Sequence, residues 1–375
     1  MIAARFFLQV STLVQFGASP KALVRVVVAS DGCHPVAFQF DEARLGDSIA
    51  HMGGTITQST RPERVDVSVD VLSQFAPAAI GLLAQVVRSP QRDGDRRANR
   101  PGLDSAATDA FDASVYPDGQ FSGCAHSSSS HATAIGPRAI RVIVAGRFDT
   151  AMVRRAIGGA FGDWAAGSAP DAPSVAPSDR PAQSALVFVQ RPGAKQVALM
   201  VGAPTPGPTD SDFARLRVMN TVLGAGVVSR ITRNIREAKG YAYSPSSFIA
   251  AAPSGAAYWA EVADVAADVA EPALREIVGE ITRLGDAPPD SAEVAGAERY
   301  LIGRALFETS TRAGLADALE DGTAVGGAPS VTGTEVQQVA RTYLAPTRLT
   351  IVVVGDTMAL GPNRMAAIRA MHERR

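Results

Sequence analysis

Apolar and polar positions alternate strictly along Val65-Asp-Val-Ser-Val-Asp-Val-Leu72, and the period lengthens to helical spacing in Phe75-Ala-Pro-Ala-Ala-Ile-Gly-Leu-Leu83. Alternation marks a strand with one buried face, and the proline marks a helix start just behind it. The pair recurs later as Tyr258-Trp-Ala-Glu-Val262 followed by Val269-Ala-Glu-Pro-Ala-Leu-Arg-Glu-Ile277. A second echo joins Arg141-Val-Ile-Val-Ala-Gly-Arg-Phe-Asp149 to Leu349-Thr-Ile-Val-Val-Val-Gly-Asp356. Both are short apolar runs closed by glycine and an acidic residue, as in a buried strand that ends in a turn. Apolar runs at 24–28 and 197–201 supply one further strand early in each half.

Strands and helices mixed in this way predict an α+β fold. Two similar halves are expected, each a mainly antiparallel sheet with helices packed on it. Residues 165–184, rich in Pro, Ala and Ser, read as an extended linker, which leaves 1–164 and 185–375 as domains. Asp41 to Gly54 reads as a helix stopped by its glycine pair, with His51 in the last turn at the negative helix end. Residues 89–102 show no helical period and are rich in turn formers, and the stretch from there to His131 reads as a loop. In the second half, Phe213, Leu216, Met219, Val222 and Leu223 form one apolar helix stripe, broken by Gly224 and Gly226. A second helix starts at Ser229, with Ile231 and Ile235 facing inward and Arg230, Arg233 and Arg236 on another face. Gly240 stops it and Tyr241 opens a strand.

The 375 residues are 46% hydrophobic and 19% charged, enough apolar material for sizeable cores. A net charge of −1 provides no basic footprint for nucleic acid. Cys33 and Cys124 are too few for a disulfide framework, and one bridge or two thiols both fit. No run approaches the ~20 apolar residues that span a bilayer, so a soluble protein is expected. The first twenty residues fit either an export signal or an irregular lead-in to the first strand, leaving cytoplasm and periplasm both open. The large excess of Arg over Lys resembles the usage of GC-rich bacterial genomes.

The stretch Arg233-Asn-Ile-Arg-Glu-Ala-Lys-Gly-Tyr-Ala-Tyr-Ser-Pro-Ser-Ser247 carries a family resemblance. It is similar to the second-half signature of the insulinase family of zinc peptidases, which includes pitrilysin and the mitochondrial processing peptidases. Three more segments fall in the family's order: residues 146–164, Leu223-Gly-Ala-Gly226 and residues 336–356. The first 60 residues and residues 90–136 match poorly. The resemblance implies two insulinase-like halves, with zinc held in the first by an inverted H-x-x-E-H motif and a downstream Glu. The histidines here are His34, His51, His126, His131 and His372; no two lie four apart, and no Glu occurs between Glu63 and Glu237. The spacing of the early strands is also about twenty residues shorter than in the second half, the length of a missing zinc helix. The first half thus reads as truncated, and the chain as a member without the zinc motif. No catalytic residue, metal ligand or cofactor is expected in it. Cys124, His126 and His131, even with Cys33 and His34, fit no standard zinc spacing and read as surface loop. Leu223-Gly-Ala-Gly226 lacks the Lys-Ser/Thr pair of a phosphate loop.

Arg236 and Tyr241 remain as the substrate-binding candidates. By resemblance, an Arg and a Tyr of this element hold an extended peptide. The plainer alternative is that Arg236 neutralises a helix end and Tyr241 only packs. The resemblance implies a non-catalytic, peptide-binding subunit that assists a zinc-bearing homologue in proteolysis, as a heterodimer or homo-oligomer. Two alternatives stand beside it: a structural or peptide-binding relative without a catalytic role, and an eroded inactive paralogue.

Overall fold

A computed structural model describes residues 13–15, 20–29, 42–61, 64–88, 102–116, 140–164, 184–251, 255–320 and 330–373. In chain order these form β1 (Leu13–Gln15), β2 (Lys21–Ala29), α1 (Glu42–His51), β3 (Thr55–Arg61), β4 (Arg64–Leu72), α2 (Ala76–Arg88), α3 (Leu103–Val115), β5 (Ile140–Gly146) and α4 (Thr150–Phe161). There follow β6 (Leu186–Gln190), β7 (Gln196–Pro206), α5 (Phe213–Asn220), β8 (Ser246–Ala251), β9 (Ala256–Ala266), α6 (Ala270–Asp286) and α7 (Ser291–Thr309). The last are α8 (Arg312–Glu320), α9 (Gly333–Tyr343), β10 (Thr350–Gly355), α10 (Thr357–Leu360) and α11 (Pro362–Glu373). Among the described residues, no helix is long and apolar enough to cross a membrane. Cys33, Cys124, His34, His126, His131, residues 165–183 and most of the first twenty residues lie outside the description.

The chain divides into two compact units. The first comprises Met1–Arg97, Gly123–Ser174 and Ala305–Gly326; the second comprises Ala98–Ser122, Val175–Arg304 and Gly327–Arg375. The units therefore differ from a simple cut at 165–184: α3 belongs with the later sheet and α8 with the earlier one.

In the first unit the sheet runs β1-β5-β2-β4-β3, with β1 parallel to β5 and the other pairs antiparallel. The predicted alternation holds in register: Val24 faces Val69 and Val144, and Val26 faces Val67 and Val142. These valines enter one core with Ile80, Leu83 and Val87 of α2 and Val153, Ile157 and Phe161 of α4. The opposite face carries Leu23, Arg25, Val27 and Ser68, and α8 covers it.

In the second unit the sheet runs β6-β10-β7-β9-β8, with β6 parallel to β10 and the rest antiparallel. Strand order and direction repeat those of the first. One face packs on α5, α6 and α9 through Leu199, Val201, Trp259, Ile277 and Val336. The other packs on α3 through Met200, Tyr258, Val352 and Val354. Both echoed strands end in acidic helix caps: Asp149 accepts from Met152 N at 2.7 Å and Asp356 from Met358 N at 3.0 Å.

Three expectations need correction. Within 89–131, residues 103–115 are helical, with Ala107, Phe111 and Val115 buried at intervals of four. Gly224 does not break the α5 stripe: a π-helical turn, Thr221–Ala225, carries it through Val222 and Leu223, and Gly226 ends it. Tyr241 does not open a strand, since the backbone there is bent and β8 starts at Ser246.

Candidate functional site

The helix after Ser229 continues as a π-helix over Thr232–Ala238. Ile231 and Ile235 are fully buried, as their spacing predicts. The arginines on the other face divide. Arg230 grips Glu293 with two hydrogen bonds of 2.9 and 2.7 Å, and Arg233 reaches the same carboxylate at 3.4 Å. Asn234 donates to Glu276 and Glu280, and Lys239 pairs with Glu276 at 2.6 Å. These contacts pin the helix to α6 and α7, so Arg236 projects from a fixed scaffold.

The helix ends at Gly240, whose φ of 64° is the left-handed conformation that favours glycine. The Ile235 carbonyl then accepts from both Tyr241 N at 2.7 Å and Ala242 N at 3.3 Å. That fold-back sends the two tyrosines in different directions. Tyr241 is half-buried and packs against the core of the unit. Tyr243 is 84% exposed, and the Arg236 guanidinium lies 5.4 Å from its ring centroid. Arg236 also meets its neighbour Glu237 at 3.1 Å, with 42% of its side chain exposed. Of the two predicted residues, Arg236 stands at the surface and Tyr241 packs beneath it; the aromatic partner of Arg236 is Tyr243. Sequence reasoning passed over Tyr243 although it lay within the quoted stretch. A stacked guanidinium and phenol offer several hydrogen-bond donors beside a flat apolar face, equipment for holding a peptide rather than cutting one.

A polar knot lies behind this element. The Asn220 side-chain oxygen accepts from Ser247 Oγ at 2.6 Å and from Trp259 Nε1 at 2.8 Å. Glu261, fully buried on the same side of β9, finds no hydrogen-bond partner for either carboxyl oxygen. Burial pushes its carboxyl well above the usual carboxylate range. A Cβ on Gly224 would stand 2.2 Å from Glu261 Oε2 and 2.4 Å from Ser247 Oγ, which explains a glycine inside a helical stripe. In the sequence Glu261 looked like an ordinary polar position of an alternating strand.

Among the described residues, no set of side chains fits a zinc ion. His51 is exposed at the end of α1, with Nδ1 2.7 Å from the Asp47 carbonyl. Among the described residues, the acidic groups close enough to share a cation are Asp66, Asp317 and Glu320. That cluster already holds guanidinium groups: Arg25 lies 2.6 Å from Asp317, and Arg64 lies 3.6 Å from both Asp66 and Glu320. It contains no imidazole or thiolate, the ligands zinc prefers.

A family model described as the Peptidase M16 inactive domain matches residues 129–301, the span that contains the Arg236 element. That part of the chain is similar to the inactive domain of the M16 peptidases, and the sequence contains no H-x-x-E-H motif. No curated protein matches its sequence. Among solved structures, a protease from Helicobacter pylori aligns at 14% identity with a TM-score of 0.74, over 90% of this chain and 94% of that one. A Peptidase M16 inactive domain from Pseudomonas fluorescens aligns at 17% identity with a TM-score of 0.71, over 93% and 96% of the two chains. A conserved protein from Enterococcus faecalis V583 aligns at 13% identity and 0.61, over 92% and 95%. At these identities the likeness is one of fold: the three share a mixed α+β architecture with this chain.

Proposed function

We propose that this chain is a non-catalytic insulinase-family subunit that holds extended peptide for a zinc-bearing homologue. Its repeated sheets are read as two insulinase-like halves joined through 165–184. The observation that carries the reading is the Arg236–Tyr243 pair, stacked and exposed at the end of a helix anchored by ion pairs. Arg236 would donate to peptide carbonyls and Tyr243 would supply the flat surface beside them, while the partner's metal site performs the cleavage. Tyr241 supports the element from below.

The test is peptidase activity of this chain mixed with the zinc-bearing homologue encoded in the same genome. Activity is expected of the mixture and not of this chain alone. Arg236→Ala is expected to lower kcat/KM of the mixture about tenfold or more, the scale of a lost charged hydrogen bond. Tyr243→Ala should act in the same direction, whereas Tyr241→Ala should register mainly as a lower melting temperature. Activity of the mixture unchanged by Arg236→Ala, or peptidase activity of this chain by itself, would overturn the reading.

A further inference from the structure

A cavity of about 400 Å³ opens between the Gly226–Ser229 bend and the first turns of α7. Its walls include Val222, Val227, Val228, Gly296, Ala297 and Tyr300. Val227 and Val228 are 71% and 75% exposed, an unusual cost for adjacent β-branched apolar residues on a bend. Apolar walls with a few polar groups at the mouth are the composition of a ligand pocket, and the size fits one large side chain.

The charges at the mouth narrow the choice of occupant. Arg233 lines the cavity with 57% of its side chain exposed. The carboxylate it meets, Glu293, is already engaged by both nitrogens of Arg230 and by the Asp290 N–H. Arg233 therefore keeps N–H donors for an incoming acceptor. Asp290 and Glu293 also line the cavity and balance Arg230 and Arg233, so the mouth offers no net positive charge to draw an anionic ligand. A neutral carbonyl next to an apolar side chain satisfies both conditions, and an internal residue of a peptide presents that combination. Arg233 precedes Arg236 by three positions on the same helix, which puts the cavity beside the exposed pair.

We infer that this cavity is a side-chain pocket for a large apolar residue of the bound peptide, with Arg233 donating to that residue's backbone carbonyl. The inference rests on the peptide-holding reading above and adds a specificity to it. Gly296 supplies a clean probe. It lies inside α7, and a Cβ there meets nothing within 4 Å, so a larger side chain can grow into the cavity without a clash. Removing a helix-interior glycine also favours the helix.

The experiment measures binding of fluorescent, unstructured Gly/Ser-rich peptides to the full chain, with and without a single central Phe. The Phe peptide is expected to bind about tenfold more tightly, the scale of burying one such side chain. Gly296→Leu should erase that preference and leave the Gly/Ser peptide's affinity unchanged, with no loss of melting temperature. Val228→Asp, on the opposite wall, should do the same. Arg236→Ala should weaken both peptides equally and keep their ratio. A preference for Phe that survives both pocket variants overturns the pocket while leaving the peptide-holding reading intact. No binding of either peptide to the wild-type chain overturns both.

Discussion

Two helices of this protein are lent across the sequence, and they are attached by opposite chemistry. The α3 helix, made between the strands of the first sheet, covers the second sheet through hydrocarbon. Phe111 is fully buried, its ring centroid 5.0 Å from that of Tyr258, among Met200, Val352 and Val354. The α8 helix covers the first sheet through ions. Arg25 joins Asp317 at 2.6 Å, and Arg312 grips Asp70 with bonds of 2.8 to 3.2 Å. Apolar contact there is small: Leu23, Val27, Ile143 and Ala316. The lesson is that a duplicated architecture need not duplicate its adhesive. One cover answers to volume, the other to charge.

Deleting volume from α3 should have the largest effect. Phe111→Ala is expected to cost about 3–5 kcal/mol, the range for an aromatic removed from a core, measured by urea denaturation followed through the fluorescence of buried Trp259. The matching apolar change under α8, Val27→Ala, should cost clearly less.

Proton release should come next, and of the two covers it concerns α3. Burial, with Asp109 nearby, pushes Asp112 up to about 7 even though Tyr258 hydrogen-bonds to it. Asp264 is likewise raised, by burial and then by Asp104 of α3. The strand faces turned toward this helix otherwise carry apolar groups such as Val187, Val189, Ala198 and Met200. Between pH 4 and 7 the folded chain keeps protons that the unfolded chain has released. The Asp112 contribution to stability is therefore full below pH 4, falls as pH rises to about 7, and is level above. The upper bound for Asp112 is roughly 4 kcal/mol, because each pH unit across that window is worth ~1.4 kcal/mol. Asp112→Asn should reduce the slope in denaturation midpoints taken at pH 5 and pH 8, leaving the share of Asp264 and of buried Glu261; an unchanged slope would remove Asp112 as a cause.

Salt is the smaller lever and belongs to α8. Arg25→Met keeps most of the volume and removes the ionic bonds, for an expected loss of about 2 kcal/mol. Raising salt to 1 M should weaken the wild-type first unit more than that variant, which keeps the Arg312–Asp70 pair. Equal salt sensitivity in the two would show that the Arg25 pairs contribute little to it.

Legibility followed the same divide between volume and charge. The strand of 65–72 was readable because every second residue is Val or Leu, and β4 forms in that register. The α3 helix was not, because its buried face is mostly alanine, with Phe111 and Val115 as the large residues, between turn-rich flanks. The π-helical segments were invisible because the apolar spacing of 213–223 fits a 3.6-residue period nearly as well. The family element was readable as a motif, but its tyrosine was not. Tyr241 and Tyr243 are two apart and would share a strand face, and the bend after Gly240 alone separates the buried ring from the exposed one.

The loan of α3 and α8 has a consequence for biogenesis. When the first sheet leaves the ribosome, α8 lies about 165 residues downstream of β5, a delay of roughly 10–30 s at ordinary synthesis rates. Its uncovered face meanwhile offers Arg25, Asp66, Ser68 and Asp70 to the cytosol or to the translocation machinery, groups that water solvates well. The second sheet has the sticky face, but α3 was synthesised before any of its strands and is at hand when they arrive. Polar surface is thus found on the sheet that must stay open, and apolar surface on the sheet whose cover is already made.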